Sequence, residues 1–477
     1  MKNVFSANST VSWWNIGLSI LAANVAYDYI HVGASMGYSK GLALGSYEWT
    51  GSLAMIFVLL FVFPIMLSTG VKTTPEYLGL RFGKFTRVSV AIVMVFLHIF
   101  VVMVPVLYSA AVSLTKWYGL SYSIWLSICI VLITAILLFN NFILVMRINA
   151  VLVLLMIITG LILVIYCFYA VGGVSNFIHA GAPRINAFLP IDDEMLPWTS
   201  VVFGGLWIAH AYYWSFNPYI QQFVLSSETL SKAQFGFLLT ATIKILVPFI
   251  IMVPGITIFI LKGASYLPNT ELAFSTFLTE IIPIKARAFI LVIYLSTMLS
   301  AFSSVGYSGI NIVLNDILPS SFNKTEKIDR SYRIILLLFM LCSFMAAFFF
   351  EPLGKTGLLH YNQVIMNAVT PTIVAIFGFG LFYKRTTTLA VNCTLFTAIP
   401  FFLFIRYFYP SLDFLNTGGI VFIVQCLMIM VLTYFLPDKT IKKVFMQKEI
   451  RFERHLLVMT WSVFLVTLIL SIYVILL

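Results

Sequence analysis

The chain has 477 residues, of which 61% are hydrophobic and only 9% are charged. Soluble domains contain about 25% charged residues, so this composition excludes a water-soluble globule and predicts a surface covered largely by lipid. The formal net charge is +11. It does not indicate nucleic-acid binding, because the basic residues lie in short connections beside apolar segments, where membrane proteins carry them.

Apolar runs long enough to cross a bilayer recur along the whole chain. A helix needs about 20 residues to span the hydrocarbon core, and the runs predict about thirteen transmembrane helices. These lie near residues 12–34, 47–69, 88–114, 120–139, 143–171, 198–226, 234–262, 286–314, 332–350, 357–383, 387–408, 415–436 and 456–476. The sequence therefore predicts an all-α polytopic membrane protein, with residues 1–477 forming a single transmembrane domain.

The distribution of charge predicts the orientation. The connections 70–87, 315–333 and 437–455 are rich in Lys and Arg and fall on one side of the membrane, whereas 172–197 carries an acidic cluster on the other. Because Lys and Arg favour the cytoplasmic side, we expect a cytoplasmic N-terminus and an external C-terminus, in the inner membrane of a bacterium. The first ten residues lack the features of a signal peptide, so the first apolar segment is expected to direct insertion.

Several classes of function are disfavoured. The sequence has no G-x-x-x-x-G-K-[ST] motif and no connection long enough for a soluble domain, which argues against ATP-driven transport by this chain alone. An enzyme needs a positioned nucleophile, an acid–base pair or a metal cluster. No His-Glu-x-x-His motif occurs, and the cysteines lie in apolar runs without metal-ligand spacing. A solute sensor remains an alternative, although it would usually carry a soluble output domain.

Two of the predicted spans contain features that interrupt a helix. The first has Asn24 and His31 inside the apolar run, followed by two glycines, and the sixth has His210 and Pro218 near its middle. Unwound backbone is tolerated at membrane depth only where it lines a cavity or is buried in protein. Interrupted segments at corresponding positions of two halves point to a transporter site between inverted repeats.

Polar residues also lie inside other spans: Glu48, Lys244, Thr297, Ser300 and Gln363. A charge at mid-bilayer costs about 2.5–3.5 kcal/mol on insertion scales, so Glu48 and Lys244 are expected to face each other or a cavity. The alternatives are a Glu48 solvated at the membrane edge and a Lys244 whose ammonium reaches the interface along its alkyl stem. His98, alone on an apolar span, is expected to be a hydrogen-bonded core residue.

Longer motifs carry a family resemblance from about residue 12 to residue 387. They are SWWNIGLSILAANVA, GYSKGLALGSYEW, TTPEYLGLRFG, GGLWIAHAYYWSFNPYIQQ, KAQFGFLLTATIKILVPFIIMVPGI and VTPTIVAIFGFGLFYKRTTT. In these stretches the chain resembles the solute:sodium symporter family, and within it the sodium/glucose cotransporter branch. The resemblance implies a LeuT-type fold, with inverted five-helix repeats at 12–171 and 198–383 and three additional helices in 387–477. It also implies sodium-coupled uptake by alternating access. Members usually carry one more helix before the core, and this chain starts almost at the first core helix.

The resemblance implies a set of substrate-binding residues. In sugar-transporting members, a Glu before Trp, a Lys in a K-L-x-x-P-F motif and a Gln eight residues before a Pro contact the sugar. These positions are Glu48, Lys244 and Gln363 here. An Asn of the first helix bonds an inner-gate Tyr of the sixth, which implies the pair Asn24 and Tyr213.

Other positions of the implied sugar site depart from the family pattern. Tyr29 stands where the family has Gln, His210 where it has Asn, and Gly51 where it has a small polar residue. The site is still expected to be polar and able to bond hydroxyl groups, with additional aromatic surface. A sugar or polyol is therefore the expected solute, and no protein partner is implied beyond the lipid bilayer.

The implied sodium site departs further. Its positions are Ala22, Val25, Thr297, Ser300 and Ala301. The family has a hydroxyl where Ala301 stands and a nearby Asp where Asn149 stands. Because sodium is a hard cation that prefers several oxygen ligands, these changes are expected to weaken the site. Two alternatives of the same fold therefore stay open: a sodium-independent uniporter, and a proton-coupled transporter that uses Asp28, His31 or His210.

Overall fold

The computed structural model describes residues 11–25, 27–138, 142–193, 195–318, 328–350, 358–437 and 456–476. Helices account for almost all regular structure there, and the described residues contain no β-strand beyond an isolated bridge between Leu189 and Pro197. The predicted all-α fold is confirmed. Residues 319–327 and 438–455, which carry many of the basic side chains used to predict the orientation, lie outside the described residues, as does the side chain of Asp28.

The first part of the chain forms α1 to α9. They are α1 (Trp13–Asn24), α2 (Tyr27–Ser39), α3 (Ser46–Phe57), α4 (Phe63–Thr69), α5 (Thr74–Phe82), α6 (Lys84–Leu97), α7 (Val104–Tyr118), α8 (Tyr122–Leu138) and α9 (Phe142–Ala170). Single π-helical turns join α3 to α4 and α6 to α7 without ending the helix. Such turns occur often at functional sites.

The remainder forms α10 to α22. They are α10 (Val174–Gly181), α11 (Trp198–Val202), α12 (Leu206–Ser215), α13 (Pro218–Leu225), α14 (Leu230–Lys244), α15 (Val247–Lys262), α16 (Ala273–Thr276), α17 (Ile284–Ile312), α18 (Ile328–Phe350), α19 (Leu358–Phe382), α20 (Thr388–Phe408), α21 (Phe414–Phe435) and α22 (Leu456–Ile475).

Ten helical stretches of the described residues are long and apolar enough to cross a membrane, judged by length and composition, and Tyr122–Leu138 is a shorter apolar helix. The first and sixth predicted spans are absent from that set because each is built from shorter helices. The count of about thirteen spans therefore stays a prediction, although a helix or helix pair lies at each predicted position.

Both predicted interruptions are confirmed. α1 ends at Asn24 and α2 begins at Tyr27, while α12 ends at Ser215 and α13 begins at Pro218. The second break has a clear cause, because a proline disfavours helical backbone at the preceding residue and fits the first turn of a new helix. Pro248 lies in the first turn of α15 and has no N–H group to donate to Lys244 O. α14 ends at Lys244.

Small residues let the broken helices approach their neighbours closely. A Cβ atom built on Gly17 of α1 would lie 2.4 Å from the carbonyl oxygen of Gly236 on α14, and one on Gly255 of α15 would lie 1.9 Å from that of Ala34 on α2. Only glycine fits such contacts, which are typical of helix packing in membranes. The Thr240 hydroxyl also donates to Gly17 O at 2.8 Å. The two halves of the first span are thereby fixed against α14 and α15.

The connection between α10 and α11 is fixed to the end of α2. Lys40 forms an ion pair with Asp193, and Arg184 Nε donates to Tyr38 O at 3.0 Å. Burial opposes ionisation of Asp193, but the Lys40 ammonium and the backbone N–H groups that follow in the loop stabilise the carboxylate more strongly. The pKa of Asp193 therefore lies below its usual range.

Candidate functional site

A cavity of about 180 Å³ lies where the interrupted spans meet. Its lining includes every residue predicted from the sequence to bind solute: Asn24, Tyr29, Glu48, His210, Tyr213, Lys244 and Gln363. They come from α1, α2, α3, α12, α14 and α19, so distant parts of the chain converge on one space. At about 15 Å³ for each water-sized group, the cavity has room for roughly a dozen such groups.

A buried ion pair lies on one wall of this cavity. Glu48 and Lys244 are 3% and 1% exposed, and the Lys244 ammonium donates directly to Glu48 Oε2. It also donates to Asn24 Oδ1 at 2.9 Å and lies 4.7 Å from the centre of the Trp214 ring. The Tyr29 hydroxyl donates to Glu48 Oε1 at 2.5 Å. Both alternatives, a solvated Glu48 and an interfacial Lys244, are wrong, and the pair carries no net charge.

Tyr213 lies at the break of the sixth span and accepts two hydrogen bonds. Asn24 Nδ2 donates to its hydroxyl at 2.9 Å, and the Tyr219 hydroxyl donates to it at 2.7 Å. The predicted contact between Asn24 and Tyr213 is therefore present. Because Tyr213 belongs to α12 and Tyr219 to α13, the second bond crosses the interruption.

His210 occupies space that a missing side chain leaves open. Its Nε2 lies 2.9 Å from Thr50 Oγ1, and the Thr50 hydroxyl in turn donates to Ser46 O. Nε2 therefore donates, which leaves Nδ1 as an acceptor. A Cβ atom on Gly51 would lie 3.3 Å from the His210 ring and 3.2 Å from Trp214 Nε1. The two departures from the family pattern therefore fit each other, because the His210 ring lies close to the space that a side chain at position 51 would occupy.

Several lining residues were missed by the sequence reasoning: Ala23, Tyr47, Val101, Val102, Ala209, Trp214, Tyr219, Asn362 and Met366. Val101 and Val102 lie in the π-helical turn His98–Met103, where an apolar sequence gives no sign of a cavity. Asn362 could have been predicted from the sequence, because it directly precedes Gln363 on the same helix. His98 is buried with both ring nitrogens in hydrogen bonds, so the prediction of a satisfied core residue is confirmed.

The residues predicted to surround a cation lie on α1 and α17, which pack together. All are buried: Ala22, Val25, Thr297, Ser300 and Ala301. Because α1 ends at Asn24, carbonyl oxygens of its last turn lack helical partners. The Ser300 hydroxyl is buried and has no hydrogen-bond partner in the described part of the chain. Oxygen atoms without partners are the donors that a hard cation prefers.

Of the two substitutions expected to weaken the site, Ala301 lies on α17 and Asn149 lies on α9, which packs against α17. Ala301 follows Ser300 and offers no oxygen from its side chain, while Asn149 Nδ2 lies 3.4 Å from Ser304 Oγ, one turn beyond Ser300. Among the described residues, no group of three His, Cys, Asp or Glu side chains is placed to hold a metal ion. A cation between α1 and α17 would therefore be surrounded by neutral oxygens.

A sequence profile of the sodium:solute symporter family matches residues 4–390. The chain belongs to this family. The prediction made from the sequence motifs is thereby confirmed, and this symporter family member is a membrane transporter, not an enzyme.

Curated relatives of this symporter family member include sodium/glucose and sodium/inositol cotransporters. The chain is 28% identical to the sodium/glucose cotransporter of Vibrio parahaemolyticus, with 87% of this chain and 81% of that protein aligned. It is 28% identical to sodium/glucose cotransporter 1 of Oryctolagus cuniculus, covering 80% of this chain and 64% of the relative. It is 26% identical to sodium/myo-inositol cotransporter 2 of Sus scrofa, covering 81% of this chain and 62% of the relative.

Solved structures support the fold. A Na⁺-coupled sialic acid symporter in a substrate-bound, outward-open state superposes with a TM-score of 0.78 at 18% identity, covering 92% of this chain and 93% of that one. Mhp1, a nucleobase-cation-symport-1 family transporter, gives a TM-score of 0.54 at 12% identity, covering 90% of this chain and 94% of that one. The predicted LeuT-type fold is confirmed.

Proposed function

We propose that this protein is a sodium-coupled symporter that imports a neutral sugar or polyol by alternating access. The observation that carries the proposal is the buried pair of Glu48 and Lys244 on the wall of a cavity rich in hydrogen-bonding groups. Because the two charges neutralise each other, a charged solute would leave an uncompensated charge in a low-dielectric site. A neutral solute with many hydroxyl groups avoids that cost.

The lining suits such a solute. Carboxylate and amide oxygens of Glu48 and Gln363 accept hydrogen bonds from hydroxyl groups, while Lys244 donates them. Tyr213 and Trp214 add aromatic surface for the apolar faces of a sugar ring. The cavity volume accommodates about as many water-sized groups as a hexose has heavy atoms. The names of the curated relatives, which refer to glucose and myo-inositol, support the same class of solute.

Sodium would enter as a second substrate between α1 and α17. The unpartnered Ser300 hydroxyl and the carbonyl groups near the end of α1, including those of Ala22 and Val25, supply neutral oxygens. Thr297 would contribute its carbonyl group. Membership of a sodium:solute symporter family supports this assignment. Ala301 and Asn149 favour the second candidate, a transporter of the same solute that is not coupled to sodium.

The proposed organisation follows the same reasoning. Residues 12–171 and 198–383 form two inverted repeats, and 387–477 adds further helices. The interruptions at corresponding positions of α1/α2 and α12/α13 support this division. The protein would lie in a bacterial inner membrane with a cytoplasmic N-terminus, in agreement with the distribution of Lys and Arg.

Uptake of radiolabelled glucose and myo-inositol into proteoliposomes, with and without a sodium gradient, tests the function. We expect sodium to stimulate uptake of at least one of them. Gln363→Leu should weaken solute affinity by about tenfold, because it removes hydrogen bonds to the solute. Gln425→Leu is the matched control, since Gln425 is buried on α21 and bonds Thr397. Equal behaviour of the two variants would contradict the solute site.

The same preparation separates the coupling alternatives. Sodium-insensitive uptake together with an unaffected Ser300→Ala variant would refute sodium coupling. Uptake that depends on pH in sodium-free buffer would then identify a proton-coupled transporter, and pH-independent uptake would identify a uniporter.

A further inference from the structure

The gate residue Tyr213 is supported by a neighbour that the sequence did not single out. Tyr219 is 4% exposed, lines the solute cavity and donates its hydroxyl to Tyr213 at 2.7 Å. Their rings meet edge to face with centres 5.9 Å apart. Since Tyr219 lies in the first turn of α13, any movement of that helix changes the contact that holds Tyr213 across the cavity.

A buried glutamine joins the same turn of α13 to α17. Gln222 is 6% exposed, and its Nε2 donates to Tyr219 O at 3.0 Å and to Ser304 O at 2.7 Å. The Ser304 hydroxyl in turn donates to Ser300 O at 2.7 Å. One side-chain amide therefore bridges the backbone of Tyr219 and the turn of α17 that follows Ser300.

His98 also contacts Tyr219. Its Nδ1 lies 2.7 Å from Met94 O and its Nε2 lies 3.0 Å from Ser308 Oγ. Because a carbonyl oxygen only accepts, Nδ1 carries the hydrogen and Nε2 accepts from the Ser308 hydroxyl. The imidazole ring meets the Tyr219 ring at 5.6 Å and an angle of 85°. Tyr219 is thus bounded by a second side chain that is hydrogen-bonded to α17.

α13 lies between two cavities. Tyr219 faces the solute cavity, whereas Gln222, one turn further along the helix, lines a second cavity of about 210 Å³. This second cavity is also lined by Lys72, Ser226 and Asn311. Lys72 belongs to the connection 70–87, which the sequence predicts to be cytoplasmic. α13 therefore contributes side chains to both spaces.

We propose that Tyr219 and Gln222 are positioning residues that transmit the presence of a cation at α17 to the gate at Tyr213. With a cation between α1 and α17, the bond from Gln222 to Ser304 O fixes α13, and Tyr219 keeps Tyr213 over the solute. Departure of the cation releases this turn of α17 and loosens both contacts. The proposal rests on the sodium-coupled function. It makes α13 the two-state element on which both the cation and the solute act.

Solute efflux from preloaded proteoliposomes, measured with and without sodium on both sides, tests the proposal. Tyr219→Phe removes only the hydroxyl, and we expect efflux in sodium to become about two- to twelvefold faster, the effect of losing one neutral hydrogen bond. Tyr122→Phe is the matched control, because its hydroxyl donates to Ala347 O at 2.8 Å between α8 and α18. It should leave efflux unchanged.

Gln222→Leu and Ser308→Ala test the link to α17. Both should bring the efflux rates with and without sodium closer together, while solute affinity in sodium-free buffer stays as in the wild type. A purely structural role would lower the melting temperature and leave the ratio of the two rates unchanged, which would overturn the link. Ser308→Ala removes a single hydroxyl and keeps the test valid where Gln222→Leu does not fold.

The outcomes separate this proposal from the function on which it rests. A wild-type protein with equal efflux in both buffers would refute sodium coupling and, with it, the link from α17. The gate role of Tyr219 is decided separately, by comparing Tyr219→Phe with Tyr122→Phe in sodium-containing buffer. Equal efflux rates of the two variants there would overturn that role.

Discussion

Removing one member of the buried ion pair should destabilise the protein strongly, and removing both should not. Lys244→Met leaves Glu48 in a site where it is 3% exposed, with the Tyr29 hydroxyl as its remaining side-chain donor among the described residues. Loss of one partner from a buried pair costs about 3–5 kcal/mol, because a charge stays buried without compensation. The retained bond from Tyr29 favours the lower end of this range. Combining Lys244→Met with Glu48→Gln removes the uncompensated charge and should restore most of the stability.

Thermal unfolding of the purified protein measures this effect, with an exposed ion pair as the control. Lys232 and Glu228 lie 2.6 Å apart with 30% and 35% of their side-chain surfaces exposed. Exposed pairs of this spacing contribute only about 0.3–0.5 kcal/mol, so Lys232→Met should leave the melting temperature nearly unchanged. Solute binding provides a second readout: the double variant should fold but not bind solute.

Two results would refute this reasoning. If the single and double variants are equally unstable, the loss arises from packing and not from an unpaired charge. If the double variant transports solute with wild-type affinity, the pair does not contribute to the solute site. A destabilised single variant, a stable double variant and lost binding together would support both the structural and the functional role.

Ser300→Ala should raise the sodium concentration needed for half-maximal uptake with little change in melting temperature, because the hydroxyl has no hydrogen-bond partner among the described residues to lose. Ala301→Ser should lower that concentration by about tenfold, the effect of one charge-assisted contact, and unchanged sodium dependence would contradict the cation assignment. Gly51→Ser should weaken solute binding by about fivefold or more through crowding of His210, and adding His210→Asn should reverse most of the loss in a binding assay. Since the pKa of Asp193 is lowered, its ion pair contributes its full stabilisation above about pH 4 and loses it gradually as the pH falls further. Asp193→Asn should therefore lower the melting temperature by a constant amount above about pH 4 and by progressively less below it.

The sequence predicted the parts of the fold that depend on local chemistry. Apolar runs specify helices that cross a bilayer, and Pro218 favours a break because proline has no backbone N–H group and disfavours helical backbone at Asn217. Charges at Glu48 and Lys244 had to face each other or a cavity, since lipid does not solvate them. These constraints, together with family motifs, predicted seven solute-binding residues, and the structure places all seven on the wall of one cavity.

Other features depend on three-dimensional packing and left no local signal. Val101 and Val102 face the cavity because a π-helical turn rotates that part of the third span, and an apolar run is compatible with several orientations. The fit of His210 beside Gly51 depends on the crossing of α3 and α12. The bond from Gln222 to Ser304 O joins residues 82 positions apart, and neither residue type indicates such a partner.

The departures from the family pattern have different consequences at the two sites. At the solute site, His210 fills the space beside Gly51, so the cavity is reshaped while its hydrogen-bonding capacity is kept. At the proposed cation site, the Ser303 and Ser304 hydroxyls donate back to Ser300 O, so neither replaces the oxygen that Ala301 lacks. A weaker site raises the sodium concentration needed for half-saturation. It does not by itself reduce the solute gradient, which depends on the sodium gradient and on how strictly the two movements are linked. We propose that this linkage depends on the contacts between α13 and α17, so a low sodium affinity would be compatible with tight coupling in this protein.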